Sequence, residues 1–140
     1  YATNRGGTWA YSTIASGYVD GLSLAVDAQG LAHAVFVDGQ SVLHHARREA
    51  SGAWTVEQVD DALTLHTPSL ALDASGNSHV SYFLSSGGGE LRYATNAGGA
   101  WRIVRVGAAE YADTAHAVDL HGGIHVSYFA DGNPMYATHR

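Results

Sequence analysis

The sequence of 140 residues contains no cysteine, which excludes a disulfide framework and any metal site built from thiolates. Basic residues are also few. The sequence has seven arginines and 13 acidic residues, which give a formal net charge of −6. Nucleic acids and anionic membrane surfaces both attract a basic face, so neither is expected as a partner. No apolar run approaches the roughly 18 residues of a membrane-spanning helix, and the first residues lack the pattern of a signal peptide.

Charged residues make up only 14% of the sequence, whereas hydrophobic residues make up 46%. This balance is typical of a globular fold and argues against disorder. Seventeen glycines with only two prolines indicate many tight turns, and an aromatic set dominated by eight tyrosines favours strands. The length suits one ordinary domain with a sizeable core.

The main feature of the sequence is an internal repeat of about 46 residues. A string of the form Ser-Leu-Ala-Leu-Asp-x-x-Gly-x-x-His-Val-Ser-Tyr occurs in three versions. Its acidic and imidazole positions recur at Asp27, Asp73, Asp119, His33, His79 and His125. A second string begins with Tyr-Ala-Thr or His-Ala-Arg and ends on tryptophan, at Trp9, Trp54 and Trp101.

Apolar residues within each repeat alternate with a period of two, which predicts strands rather than helices. The middle repeat is predicted to hold four strands, at about 68–73, 78–84, 90–95 and 101–106. The Asp-x-x-Gly segments close the first hairpin, since Asp bonds its own turn backbone and Gly supplies a positive φ. Four strands in each repeat of this length predict an all-β fold, a β-propeller of four-stranded antiparallel blades. A solenoid and a sandwich are the alternatives.

The phase of the repeat divides the chain into a single three-blade unit. The predicted parts are a part-blade at 1–16, blades at about 17–61 and 62–109, and a part-blade at about 110–140. Tyr1-Ala-Thr and Tyr136-Ala-Thr both match the third strand of a blade, so the two part-blades complement each other. A propeller ring usually has about four to eight blades, so three blades cannot close one. We therefore expect a homodimer of six blades, closed by strand exchange between the part-blades.

The alternative is that the segment was excised from a longer chain of six or seven blades. The chain also begins at Tyr1 rather than Met. With the repeated terminal strand, this start favours a further hypothesis, an engineered or reconstructed half-propeller with no selected ligand.

The segment Ala2–Trp9 carries Asn4, Gly6, Thr8 and Trp9 in the order of Ser-x-Asp-x-Gly-x-Thr-Trp. It resembles a degenerate Asp-box, or BNR repeat, of sialidase-like propellers. The third copy keeps most of this pattern and the middle copy keeps only its tryptophan. The whole unit is also similar to bacterial propeller repeats of secreted proteins. The resemblance implies a fold and an extracellular or cell-surface location, and it does not imply an activity.

Three recurring sets are interpreted as structural. Equivalent histidines on successive blades lie too far apart for one zinc ion, so we expect each ring to bond a neighbouring backbone, and we predict no metal or cofactor. The recurring aspartates are turn formers, and the tryptophans are expected between blades. Asp60 and Asp61, in a connection, are expected to be solvated.

The connections between blades are where the repeats disagree, and they offer aromatic or imidazole rings beside polar groups. Such surroundings suit sugar rings, although ordinary solvated loops are the alternative. The candidate ligand-binding residues are Tyr18, Asp20, His66, Glu110, Tyr111, Asp113 and His116.

No catalytic set is recognisable, since the sequence has no Gly-x-Ser-x-Gly elbow and no phosphate-binding loop. We therefore predict a non-catalytic binding or scaffold module. Its expected ligand is a glycan, as for a lectin, or a protein. A fragment of a sialidase-like or other propeller glycosidase or lyase is the alternative, with its catalytic residues in other blades.

Overall fold

The computed structural model describes residues 1–61, 65–110 and 113–140, with only the backbone of Leu65. In this part of the chain the regular structure is strand, apart from one turn of 3-10 helix at Ser86–Gly88. No helix in the described residues is long and apolar enough to cross a membrane. The expectation of an all-β fold is therefore confirmed.

The strands form a short hairpin and three larger antiparallel sheets. Within each sheet, every strand pairs with the strand that follows it in the chain. The hairpin consists of β1 (Ala2–Thr3) and β2 (Ala10–Tyr11). Sheet I consists of β3 (Val19–Val26), β4 (Ala32–Asp38), β5 (Leu43–Arg48) and β6 (Trp54–Asp60). Sheet II consists of β7 (Leu65–Leu72), β8 (Ser78–Leu84), β9 (Glu90–Gly98) and β10 (Ala100–Ala108). Sheet III consists of β11 (Ala115–Val118), β12 (Ile124–Ala130) and β13 (Asn133–His139).

The first hairpin of each large sheet is closed by its recurring aspartate. Asp27 Oδ1 accepts the backbone N–H groups of Gln29 and Leu31, at 2.9 and 2.8 Å. Gly30 follows with a φ of +78°, a conformation that residues with a side chain adopt only with strain. Asp73 and Asp119 make the equivalent bonds. A polar side chain thus replaces the strand ladder where the chain reverses.

Neighbouring sheets meet through their first strands. Ser23 Oγ of sheet I accepts the N–H of Leu70, and Ser69 Oγ of sheet II accepts the N–H of His116. These two bonds occupy equivalent places in the repeat, so sheet III sits on sheet II as sheet II sits on sheet I. The second strands β4 and β8 are almost wholly buried between the layers.

Two of the three tryptophans reach back from a fourth strand to the layer before it. Trp54 meets the ring of Tyr1 edge-on at 5.3 Å, and Trp101 meets the ring of His45 edge-on at 5.4 Å. Trp9 is 61% exposed in the single chain, unlike the position between blades that its place in the repeat predicts.

Candidate functional site

Two clefts occupy equivalent positions between the sheets, at the end that carries the aspartate turns. The cleft between sheets I and II has a volume of about 440 Å³ and is here named the polar cleft. The cleft between sheets II and III has a volume of about 450 Å³ and is named the apolar cleft. Charged and amide side chains line the polar cleft, including Gln29, Arg47, Glu49, Glu57, Asn77 and Asn96.

The floor of the polar cleft is a chain of hydrogen-bonding groups contributed by both sheets. His33 Nδ1 and His45 Nε2 lie 3.2 Å apart, and Ser78 Oγ of sheet II lies 3.0 Å from His45 Nε2. The outer nitrogens face carboxylates, since His45 Nδ1 lies 3.0 Å from Glu57 and His33 Nε2 lies 3.4 Å from Asp27. When each neutral ring donates its N–H to its carboxylate, the two inner nitrogens are both acceptors. The Ser78 hydroxyl then supplies the proton between them.

Burial keeps this floor uncharged near neutral pH. Desolvation lowers the pKa of His33, and the carboxylate of Asp27 opposes the shift only in part. Desolvation also lowers the pKa of His45, against an opposing effect of Glu57. Both rings are therefore neutral, and the charge of the cleft lies on its carboxylates, including the buried Asp27, and on Arg47.

The order Glu57–His45–Ser78 is that of an acid, a base and a nucleophile. Ser78, however, is 0% exposed, and its backbone N–H donates to Asn96 Oδ1 at 2.7 Å. A substrate carbonyl could not reach the hydroxyl without displacing the packed sheets. The arrangement is suited to fixing the floor and not to nucleophilic attack. Among the described residues, no group of three or more His, Asp or Glu side chains is placed to hold a metal ion.

The apolar cleft is formed by equivalent strands of the repeat and carries different side chains. Tyr93, Val104 and Ile124 stand where the other interface has His45, Glu57 and Ser78. Two imidazoles line it, His79 and His139. His79 bonds the hydroxyl of Tyr93 through Nδ1, and His79 Nε2 lies 3.4 Å from Asp73 outside hydrogen-bond geometry.

The recurring histidines differ from expectation in their partners. We expected each ring to bond a neighbouring backbone, whereas His33, His79 and His125 bond side chains. In His125, Nδ1 faces the Tyr136 hydroxyl and Nε2 faces Asp119. The reason is local, because the aspartate of each turn precedes its histidine by six residues and the hairpin brings the two together.

The candidate residues in the connections lie at the opposite end of the sheets and are only partly brought together. Asp20 Oδ2 and His66 Nδ1 lie 3.2 Å apart and link sheets I and II. Glu110 accepts the backbone N–H of Gly132, at 2.9 Å. Tyr18 is exposed to solvent.

Other members of that set are separated from these. Asp113 is exposed. His116 has its Nδ1 3.0 Å from Ser81 Oγ, and burial lowers the pKa of His116 to about 4. Tyr111 lies outside the described residues. None of the described members lines the polar or the apolar cleft.

Asp60 corrects one expectation, because it is 9% exposed rather than solvated. Its carboxylate accepts from the Tyr82 hydroxyl at 2.7 Å and from Arg92 Nη1 at 3.0 Å. Burial and the Asp60 charge raise the pKa of Tyr82, so the phenol remains a donor. The next unit has Gly107 and Met135 in place of Asp60 and Arg92. This joint departure from the repeat is the sequence signal that could have indicated a pairing of Asp60 with Arg92.

Comparison with known proteins defines the fold and leaves the family open. No family model matches the chain, and no curated protein matches it. Among solved structures, it is similar to a fucose lectin from Kordia zhangzhouensis in complex with methyl-fucoside. The two share 17% sequence identity over 84% of this chain and 91% of that one, with a TM-score of 0.57. This likeness shows a common fold for the two chains.

Proposed function

We propose that this chain is a non-catalytic carbohydrate-binding module, similar to a lectin, built from β-propeller blades. The fold it shares with a fucose lectin supports this proposal. The observation that carries it is the polar cleft, because a sugar presents hydroxyl groups that require both donors and acceptors.

The rim of the polar cleft supplies both kinds of group. Arg47 offers only donors, Glu49 and Glu57 offer acceptors, and Asn96 and Gln29 offer one of each. The bonded floor of His33, His45 and Ser78 fixes the cleft before a ligand arrives, which reduces the ordering cost of binding. The buried serine favours binding over hydrolysis.

We further propose that two copies close a six-bladed ring by blade complementation. Strand β13 forms an edge of sheet III in the described residues, and its unpaired backbone groups can accept another strand. Exposed apolar side chains on β3, such as Leu22 and Val26, mark a sheet face that a neighbouring blade would cover. A ring needs more blades than one chain supplies.

Calorimetric titration of the chain with methyl-fucoside, and then with a panel of methyl glycosides, tests the binding proposal. We expect at least one glycoside to bind, and Glu57→Gln to weaken it by roughly tenfold or more because a charged acceptor is lost. The matched control is Gln58→Glu. It replaces an amide with a carboxylate on the neighbouring residue, which does not line the cleft. Asp20→Asn tests the other end of the sheets.

Loss of binding in Asp20→Asn, with Glu57→Gln unchanged, would move the site to the connections. No binding of any glycoside at millimolar concentration would defeat the proposed function. Release of the free sugar during the titration would contradict the absence of catalysis.

A further inference from the structure

The tryptophan contacts form a series within the chain. A tryptophan near the start of a fourth strand lies edge-on against a third-strand ring of the preceding layer. Trp54 does so on Tyr1 and Trp101 on His45, at nearly the same separation. Tyr93 of β9 is the next third-strand ring in this series, and it lines the apolar cleft.

The apolar cleft has the walls that an indole ring requires. Val104, Val106, Ile124 and Val126 line it beside Tyr93, and two arginines, at positions 102 and 105, complete one wall. The polar cleft cannot serve the same purpose, because Trp101 already covers His45 and the Glu57 carboxylate stands where the apolar cleft has Val104. Apolar surface next to an aromatic face stabilises a buried tryptophan through both area and ring geometry.

The chain also presents one tryptophan free to enter such a cleft. Trp9 is 61% exposed, and Tyr11 on the adjoining strand β2 is 79% exposed. Two residue pairs and the two bonds between Tyr1 and Ser12 join β2 to β1, whereas β13 is held to β12 by seven residue pairs. Strand β2 can therefore exchange β1 for a new partner at little loss of backbone hydrogen bonds.

We infer that Trp9 of a second copy inserts into the apolar cleft against Tyr93, while β2 of that copy pairs with the edge of β13. This inference rests on the proposed assembly and names its anchor. In the second copy, β1 gives way to β13 because both carry the same Tyr-Ala-Thr string.

The repeat also fixes the register of the new pairing. In sheet II, Arg102 opposes Thr95 and Ile103 opposes Ala94. The equivalent residues of β13 are Thr138 and Ala137. Ala10 of the second copy should therefore oppose Thr138, and Tyr11 should oppose Ala137. The hairpin of the single chain has the same register, with Ala10 opposite Thr3.

Sedimentation equilibrium of the full chain and its variants tests the anchor. We expect the unmodified chain to sediment at twice its 14.7 kDa. Trp9→Ala should weaken association by at least about 30-fold, as for the anchor residue of an interface. Val104→Glu should weaken it comparably, because it places a charge in the cleft. Leu120→Ala is the matched control, since it removes an apolar side chain that is 96% exposed and is not among the residues lining the cleft.

Far-UV circular dichroism and thermal melting of each variant separate loss of association from loss of folding. A folded Trp9→Ala variant that dimerises as tightly as the unmodified chain would overturn the inference while leaving the proposed assembly standing. A monomeric unmodified chain would overturn both. Sugar binding by either species is measured separately, so the binding proposal stands or fails alone.

Engineered disulfides test the register directly, because the chain has no cysteine of its own. Ala10→Cys with Thr138→Cys should give a covalent dimer under mild oxidation. Ala10→Cys with Thr3→Cys is the matched control for the hairpin of the single chain. A link in the control pair and none in the first pair would overturn the proposed pairing.

Discussion

The interface between sheets I and II and the interface between sheets II and III are built from equivalent strands with opposite chemistry. At the turn end, His45, Glu57 and Ser78 of the first interface correspond to Tyr93, Val104 and Ile124 of the second. At the other end, Asp60, Tyr82 and Arg92 correspond to Gly107, Tyr128 and Met135. At these positions the first interface is held by bonded polar groups, whereas the second has mainly apolar side chains.

The difference shows that the repeat specifies the strands and leaves the chemistry between sheets free to vary. A buried polar group must be bonded, so the first interface fixes particular partners across the sheets. An apolar wall accepts any side chain of suitable shape. One cleft is thus suited to selecting a polar ligand, and the other to receiving a hydrophobic anchor.

The largest effect on stability is expected from Asp60→Ala. This change leaves the Tyr82 hydroxyl and the Arg92 guanidinium without their shared carboxylate inside the interface. We expect the free energy of unfolding to fall by about 3 kcal/mol, toward the lower end for a broken buried pair because Arg92 keeps Glu90. Urea denaturation measures the change.

The control for that variant is Gly107→Ala at the equivalent place of the second interface. A Cβ there meets the Tyr128 hydroxyl at 3.6 Å, an ordinary contact. Little change is expected. Equal losses from the two variants would contradict the contrast between the interfaces.

Acidification should weaken both interfaces, through His33 and His45 in the first and His116 in the second, before it affects the turns. Burial lowers the pKa values of His33, His45 and His116, so below the usual histidine value of about 6.5 the unfolded chain binds more protons than the folded chain. Stability is then complete above that pH and falls as the pH drops toward about 4, the folded pKa of His116. We expect a loss of about 2 kcal/mol between pH 7 and pH 4.5.

Urea denaturation across this pH range measures that loss. Replacing His45→Tyr, the residue of the second interface, should make the curve shallower. The turn carboxylates respond in a separate and lower window, because their pKa values are lowered and their contribution is lost only below about 4. A stability curve that stays flat from pH 7 to pH 5 would show that the buried imidazoles are not coupled to folding.

The smallest effect concerns the same turn in two surroundings. Asp27→Asn and Asp119→Asn both keep an oxygen for the two turn N–H groups and remove the charge facing a histidine. We expect a loss of about 1 kcal/mol for Asp27, which is buried against His33, and a smaller loss for Asp119, which is more exposed and screened by solvent. Thermal melts of the two variants side by side measure the difference, and a larger loss at Asp119 would reverse the ranking.

Local pattern was sufficient to predict the strands and turns. Alternation with a period of two indicated β3 and β4, and the aspartate followed three residues later by glycine indicated each first hairpin, because these structures depend on residues close in sequence. Contacts between residues far apart in sequence could not be predicted in this way. His45 and Ser78 come from different sheets, and no periodic pattern pairs them.

The candidate site shows the same limit. The connections between repeats include Asp20 and His66, which do form a pair. The polar cleft was not predicted, because residues on strands and turns of two sheets form it. Asp60 was misjudged because its position at the end of a strand is compatible with either solvent or burial. Only the packing of sheet I on sheet II decides between the two.

The connection of each sheet in chain order affects how such a protein can change length. Every described sheet is a simple up-and-down run of strands, with its ladder made by neighbours in sequence. Duplication or deletion of one repeat would therefore leave the other registers intact and require no rethreading. Gene-level gain or loss of single units offers a direct route from a short chain of this kind to a longer continuous one.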